Sequence, residues 1–251
     1  MKKILVLVCM LTAFYANAHF QVLMPGTDAA TQQNRNIKFQ MIFTHPFEQG
    51  PMMEMVKPKA VDVYHNGKKE SLMGSIKQVK RNGKSTWDFI YQMKKPGDHI
   101  FVVTPDYYFE PAESTFIQHI TKTVVNGFGM EEGWDAPVGL KAEIVPLTRP
   151  YGLYTGNVFT GKVLYKGKPV PGAEVEVEFY NTGSKIKAPT DTHITQVVKA
   201  DGNGIFSYVM PFTGWWGFAA LIDDDVKLKK DGKQYPVELG ALIWVKTYGV
   251  K

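Results

Sequence analysis

The sequence predicts an all-β protein in which two antiparallel β-sandwich domains stand in tandem. Short runs rich in β-branched and aromatic residues recur between clusters of Gly, Pro, Asn and Asp. No stretch keeps a helical apolar period for three turns. Near the middle, Val145 to Tyr154 (VPLTRPYGLY) carries Pro146 and Pro150, which interrupt sheet pairing and favour an extended linker between domains.

Taken in chain order, the first element precedes the fold. Lys2 and Lys3 make a basic start, Ile4 to Phe14 is apolar, and Ala16-Asn17-Ala18 places small residues where a signal peptidase reads. The apolar run is shorter than the ~20 residues of a membrane-spanning helix. Residues 1–18 therefore read as a cleaved signal peptide, with His19 as the new terminus. Cys9 does not make a lipidation site, because Val8 before it is not small and the cysteine comes too early. As Cys9 is the only cysteine, the exported chain has no disulfide or thiolate, and any metal must rest on nitrogen, oxygen or thioether.

The first domain, residues 19–147, draws its strands from runs such as Ile37 to Phe43, Ala60 to Tyr64, Thr86 to Tyr91 and His99 to Val103. The second, residues 153–251, repeats the pattern at Asn157 to Tyr165, Ala173 to Tyr180, Ile194 to Lys199, Ile205 to Met210, Trp216 to Ile222 and Ala241 to Lys246. Asp201-Gly202-Asn203-Gly204 reads as a hairpin turn, because Gly and Asn accept positive φ. Loss of Lys2 and Lys3 from 29 basic residues leaves a small excess over 24 acidic ones, scattered through turns such as Asn66-Gly67-Lys68-Lys69. That balance argues against a nucleic-acid partner. No later segment reaches membrane-spanning length, so no transmembrane segment is expected.

The chemistry concentrates at the new terminus. A terminal histidine offers its α-amine and its ring Nδ1, which close a chelate ring on one metal ion. His45, in Thr44-His45-Pro46-Phe47-Glu48, supplies a second imidazole from a turn-rich loop, with Glu48 or His119 as a further ligand or supporting partner. Such nitrogens suit Ni(II), Co(II), Cu(II) and Zn(II), while the thioethers of Met52, Met53 and Met55 favour reduced copper. Packing is the simpler role for the methionines. His65, in a polar hairpin turn, and His99, at a strand start, read as structural; His193 is a distant candidate, and Asp223-Asp224-Asp225 a solvated strand end. There is no G-x-S-x-G, no H-E-x-x-H and no phosphate-cradling glycine loop, so hydrolase and kinase chemistry lack support and no enzyme is expected.

His19, Thr44 to Glu48, Gly133-Trp134-Asp135-Ala136-Pro137 leading into Glu143-Ile144-Val145-Pro146-Leu147, Gly167 to Ala173, and Asp201 to Gly204 followed by Gly214-Trp215-Trp216-Gly217-Phe218 together resemble one family. It is the family of bacterial periplasmic components of ABC-type nickel and cobalt uptake systems, a domain of unknown function. The second-half pattern is also similar to carboxypeptidase-regulatory and other transthyretin-like sandwiches. The resemblance implies immunoglobulin-like or transthyretin-like domains and a periplasmic carrier passing nickel or cobalt to the membrane components of an uptake transporter. Two alternatives stay open: a copper carrier or oxidative enzyme built on a histidine brace, and a partner-binding sandwich without metal.

Overall fold

The computed structural model describes residues 19–250; the expected signal peptide and its cleavage site lie outside the described residues. The first half holds β1 (Phe20–Pro25), β2 (Ala29–Ala30), β3 (Asn36–Thr44), β4 (Ala60–His65), β5 (Lys68–Ser71), β6 (Lys77–Arg81), β7 (Lys84–Gln92), β8 (Gly97–Thr104), β9 (Tyr108–Glu110) and β10 (Thr115–Gly127). The second holds β11 (Ala142–Pro146), β12 (Leu153–Tyr154), β13 (Val158–Tyr165), β14 (Lys168–Pro169), β15 (Glu174–Phe179), β16 (Gln196–Lys199), β17 (Ile205–Val209), β18 (Gly214–Asp223), β19 (Leu228–Lys230), β20 (Lys233–Tyr235) and β21 (Val237–Tyr248). No α-helix occurs among the described residues, and none of their helices is long and apolar enough to cross a membrane.

Alternation makes the strands. In β3, Ile37, Phe39 and Met41 are buried while Asn36 and Lys38 are exposed, the period-2 pattern of a half-buried strand. Asn66 and Gly67, at φ +48 and +69, join β4 to β5 in a two-residue hairpin that pairs His65 with Lys68. The Asp201–Gly204 turn behaves differently from the expected hairpin. Its flanking strands β16 and β17 pair with β15 and β13 in separate sheets, so the turn is an arch between layers. Asp201 Oδ1 accepts the Asn203 and Ile205 amides and fixes the arch from inside.

One long sheet, in the order β16-β15-β18-β21-β10-β8-β4-β5, runs through both halves. Its seam is the parallel pairing of β10 with β21, from Phe116↔Val237 to Thr123↔Trp244. A small sheet, β1-β3-β7-β6, covers one face of the first half, burying Phe39, Met41 and Phe89 against Val61, Phe101 and Val125. On the opposite face of the second half, β11, β13 and β17 bury Ile144, Phe159 and Phe206 against Val177, Phe218 and Ile243. The second core also takes Phe47, Ala142 and Ile144 from the chain before the expected division, and continuous main-chain pairing joins the two halves. The division segment is packed rather than extended into solvent. Tyr151 is buried with its hydroxyl bonded to Asn126 Nδ2, the Gly152 amide donates to Asp28, and Leu153 pairs with Thr247.

Candidate metal centre

Antiparallel register brings the first two histidines together. β1 pairs with β3 from Phe20↔Thr44 to Pro25↔Phe39, so the residue before β1, His19, lies beside the residue after β3, His45. β1 is also tied to the central sheet beneath it: Thr121 and Trp244 donate to the Gln21 carbonyl at 3.2 and 3.0 Å, and Thr123 donates to the Leu23 carbonyl at 2.6 Å. Phe20 and Val22 pack with Leu242 and Trp244 in the same layer. This first strand therefore cannot slide, and His19 is held over β10. β10 carries His119, on the face that pairs with Gly240.

The His19 and His45 ring centroids are 4.1 Å apart. Phe43 stacks on His19 at 5.6 Å and meets His119 edge-on at 5.9 Å, while Tyr108 lies 6.5 Å from His19. His119 is buried, and neither of its ring nitrogens has a hydrogen-bond partner; the His19 main chain lies against the ring without reaching hydrogen-bond geometry. A buried polar group left in this way is costly, and the site opens into a cavity of about 90 Å³ lined by Gln21, Phe43, Met55, Tyr108, Ile117 and His119. As the side chains stand, no three His, Cys, Asp or Glu groups among the described residues converge on one ion position.

Burial governs the protonation of these rings. Desolvation, helped by the neighbouring His45, pushes His19 down to about 4 against a smaller raising pull from Glu110. His119 is pushed to about 3, again by burial first and by His19 second. Both rings are neutral at pH 7, with lone pairs available to a metal. Along the same sheet face lies a group of carboxylates. Burial first, then nearby carboxylates including Glu113, raise Glu176 and Glu238 to about 7, and burial raises Glu178 to about 8 against hydrogen bonds from Thr195 and the Phe47 amide. Register sets this arrangement, since Glu176 pairs through Ala219 to Leu242 while Glu238 stands two residues before Gly240.

Glu48 is exposed, and its charge bears on Glu178. Its turn is anchored elsewhere, because Phe47 enters the second core and its amide donates to Glu178 Oε2 at 3.1 Å. The carboxylate whose field reaches His19 is Glu110 of β9, which, second to burial, also holds the Tyr108 phenol up. Sequence alone could not single out Tyr108 or Glu110; they arrive because β9 pairs with the start of β10, setting Tyr108 opposite Ile117. Met55 is buried and Met52 packs beside Phe20, so both serve the core. His193 sits in an exposed turn with Thr190, and Asp224 and Asp225 pair with Lys141 and Lys166.

Fold and site together define an all-β sandwich protein with a histidine cluster at the start of its first strand. Residues 16–224 match the family described as "Domain of unknown function (DUF4198)", and the chain belongs to that family. No curated protein matches it. Among solved structures, the D0–D1 domain of intimin is 14% identical, with 92% of this chain and 100% of that chain covered at a TM-score of 0.22. The titin tandem immunoglobulin domains are 10% identical, with 93% and 97% covered and the same TM-score of 0.22.

Proposed function

We propose that this protein is a non-enzymatic periplasmic carrier that binds nickel or cobalt as cargo for the membrane components of an uptake transporter. The observation that carries this reading is the contact of His19 with His45, with Phe43 touching both His19 and His119, and with the His119 nitrogens buried and unpartnered. The donor chemistry fits: neutral imidazoles suit divalent nickel, cobalt and copper. His19 would supply its ring and, once the bond after Ala18 is cut, its α-amine. That cut converts an amide nitrogen, which cannot ligate without losing its proton, into a donor that completes a chelate. His45 and His119 would add imidazoles, with Glu110 and Tyr108 at the rim. Because the rings hold protons weakly, protons displace metal only in acid, and release near neutral pH has to come from competition by the receiving protein.

The test starts from the intact mass of the exported protein, which should correspond to residues 19–251. Ni(II), Co(II) and Cu(II) are then titrated at fixed pH into that chain, a version with one extra residue before His19, His45→Ala and His65→Ala. The extended version and His45→Ala should bind at least ~10-fold more weakly, equivalent to ~1.4 kcal/mol, while His65→Ala should bind normally. Equal affinity of extended and authentic termini removes the chelate. The order of metals decides cargo, and peroxide-dependent glycan oxidation by the copper form would replace the carrier reading with the enzymatic one.

A further inference from the structure

A second histidine pair lies at the far end of the first sandwich, where β4, β5, β7 and β8 surround a cavity of about 410 Å³. His65 and His99 stack face to face there, centroids 4.0 Å apart and planes 10° from parallel. Each ring has its Nδ1 at a main-chain carbonyl, His65 to Asp98 at 3.2 Å and His99 to Gly97 at 3.1 Å. A carbonyl only accepts, so both Nδ1 atoms carry hydrogen and the Nε2 atoms carry the lone pairs. Lone pairs lie in the ring planes, so in nearly parallel rings they run side by side and do not converge on a single ion. The surrounding charge also disfavours a cation. Lys68, Lys69, Lys94 and Lys95 line the cavity against one carboxylate, Glu70; Asp62 engages Lys69 at 2.9 Å from the side. Tyr91 completes the wall, tilted 5.8 Å from His99.

We propose that this cavity binds a small, multiply charged oxyanion, taken up together with a proton on His99. The lysines supply the field, and protonation turns the His99 Nε2 from an acceptor into a donor toward the anion. The groups facing His99 are His65 from β4, Lys68, Lys69 and Glu70 from β5, Tyr91, Lys94 and Lys95 from β7 and its following loop, and no others line the cavity with charge. Burial, then His65, with a smaller part from Lys95, pushes His99 down to about 4, against the Gly97 carbonyl, which favours the proton. Burial and Glu70 raise Tyr91 to about 12, so its phenol stays a neutral donor. What the charged His99 lacks is a counter-anion. If the anion restores that ring to the ordinary histidine value of ~6.5, affinity rises about 10-fold from pH 7.5 to pH 5.5.

Sulfate is the suitable probe, because it keeps its double charge at both pH values. Calorimetric titration in two buffers of different ionisation enthalpy, with chloride holding ionic strength constant, should show about 10-fold tighter binding at pH 5.5, with proton uptake. Exposed Lys94→Gln and Lys95→Gln together should weaken binding at least ~10-fold at both pH values without unfolding the chain. His99→Gln should abolish the pH dependence, and His65→Asn should reduce it should the buried variant fail to fold. Affinity indifferent to pH or to the lysine changes overturns the proposal. So does attachment to phosphatidylglycerol vesicles with no response to free sulfate, which would make the patch a membrane contact. Nickel affinity at His19 is measured in parallel and should not change in any of these variants, so the two sites fail separately.

Discussion

Gly240→Ala tests whether His119 is held in place by the sheet beneath it. A Cβ at this position would stand 2.4 Å from His119 Cδ2, 2.9 Å from its Cγ and 2.8 Å from Leu242 Cδ1. Carbon atoms pack at ~3.5–4.0 Å, so the ring must retreat by about 1 Å. Main-chain pairing of Gly240 with both His119 and Leu221 leaves the backbone little room to give. Overpacking of this kind costs ~1–3 kcal/mol, readable as a lower urea midpoint with unchanged slope. The displaced ring should also weaken nickel binding to the chain starting at His19 by ~10-fold. Gly161→Ala is the control: its Cβ would stand 2.9 Å from Ile144 Cγ2 and Phe206 Cε1 in the other sandwich. It should cost similar stability and leave nickel affinity unchanged. A Gly240→Ala protein that binds nickel like the parent refutes the placing of His119 at the metal, and equal loss of binding in both variants refutes a local cause.

Two further outcomes follow from buried charge. Glu176, raised to about 7, holds its proton longer in the folded chain than in the unfolded one, so its contribution to stability declines between about pH 4.5 and pH 7 and stays lost above. Glu176→Gln should therefore stabilise the protein at pH 8 by on the order of 1–3 kcal/mol and change nothing at pH 4, measured by urea unfolding; an equal gain at both pH values defeats this account. Lys122 and Glu143 form a buried pair at 2.8 Å, and Glu143 also accepts the amides of Val138, Gly139 and Leu140. Lys122→Met should cost ~3–5 kcal/mol by stranding the carboxylate, and adding Glu143→Gln should recover part of it; a double variant no more stable than the single one would place the loss in packing.

Much of the strand content was legible along the chain, because a strand with one wet face must alternate. Ile37 to Phe43 fall inside β3 for that reason, and the apolar and polar alternation of Ala60 to Tyr64 falls inside β4. β10 gave a weaker signal: it is buried on both faces and carries Gln118, His119 and Lys122 inside, so period 2 disappears. Turn residues announced a reversal at Asp201–Gly204 but not its destination, since the same local geometry serves a hairpin or an arch; long-range pairing of β16 and β17 with different sheets decided it. The two prolines near residue 150 suggested an extended linker, but packing buries Tyr151 there, β11 before it pairs with β13 after it, and β10 and β21 join the halves. The candidate ligands His19 and His45 could be named from residue type and from the terminus that cleavage would create. Their adjacency came from the β1–β3 register, and the presence of Glu110, Tyr108 and a buried His119 came from β9, β10 and β21 meeting in three dimensions. The His65–His99 stack could not be read from either residue alone. Local sequence sets conformational preference and donor chemistry, but distance between residues far apart in the chain is set by register and burial, which belong to the whole fold.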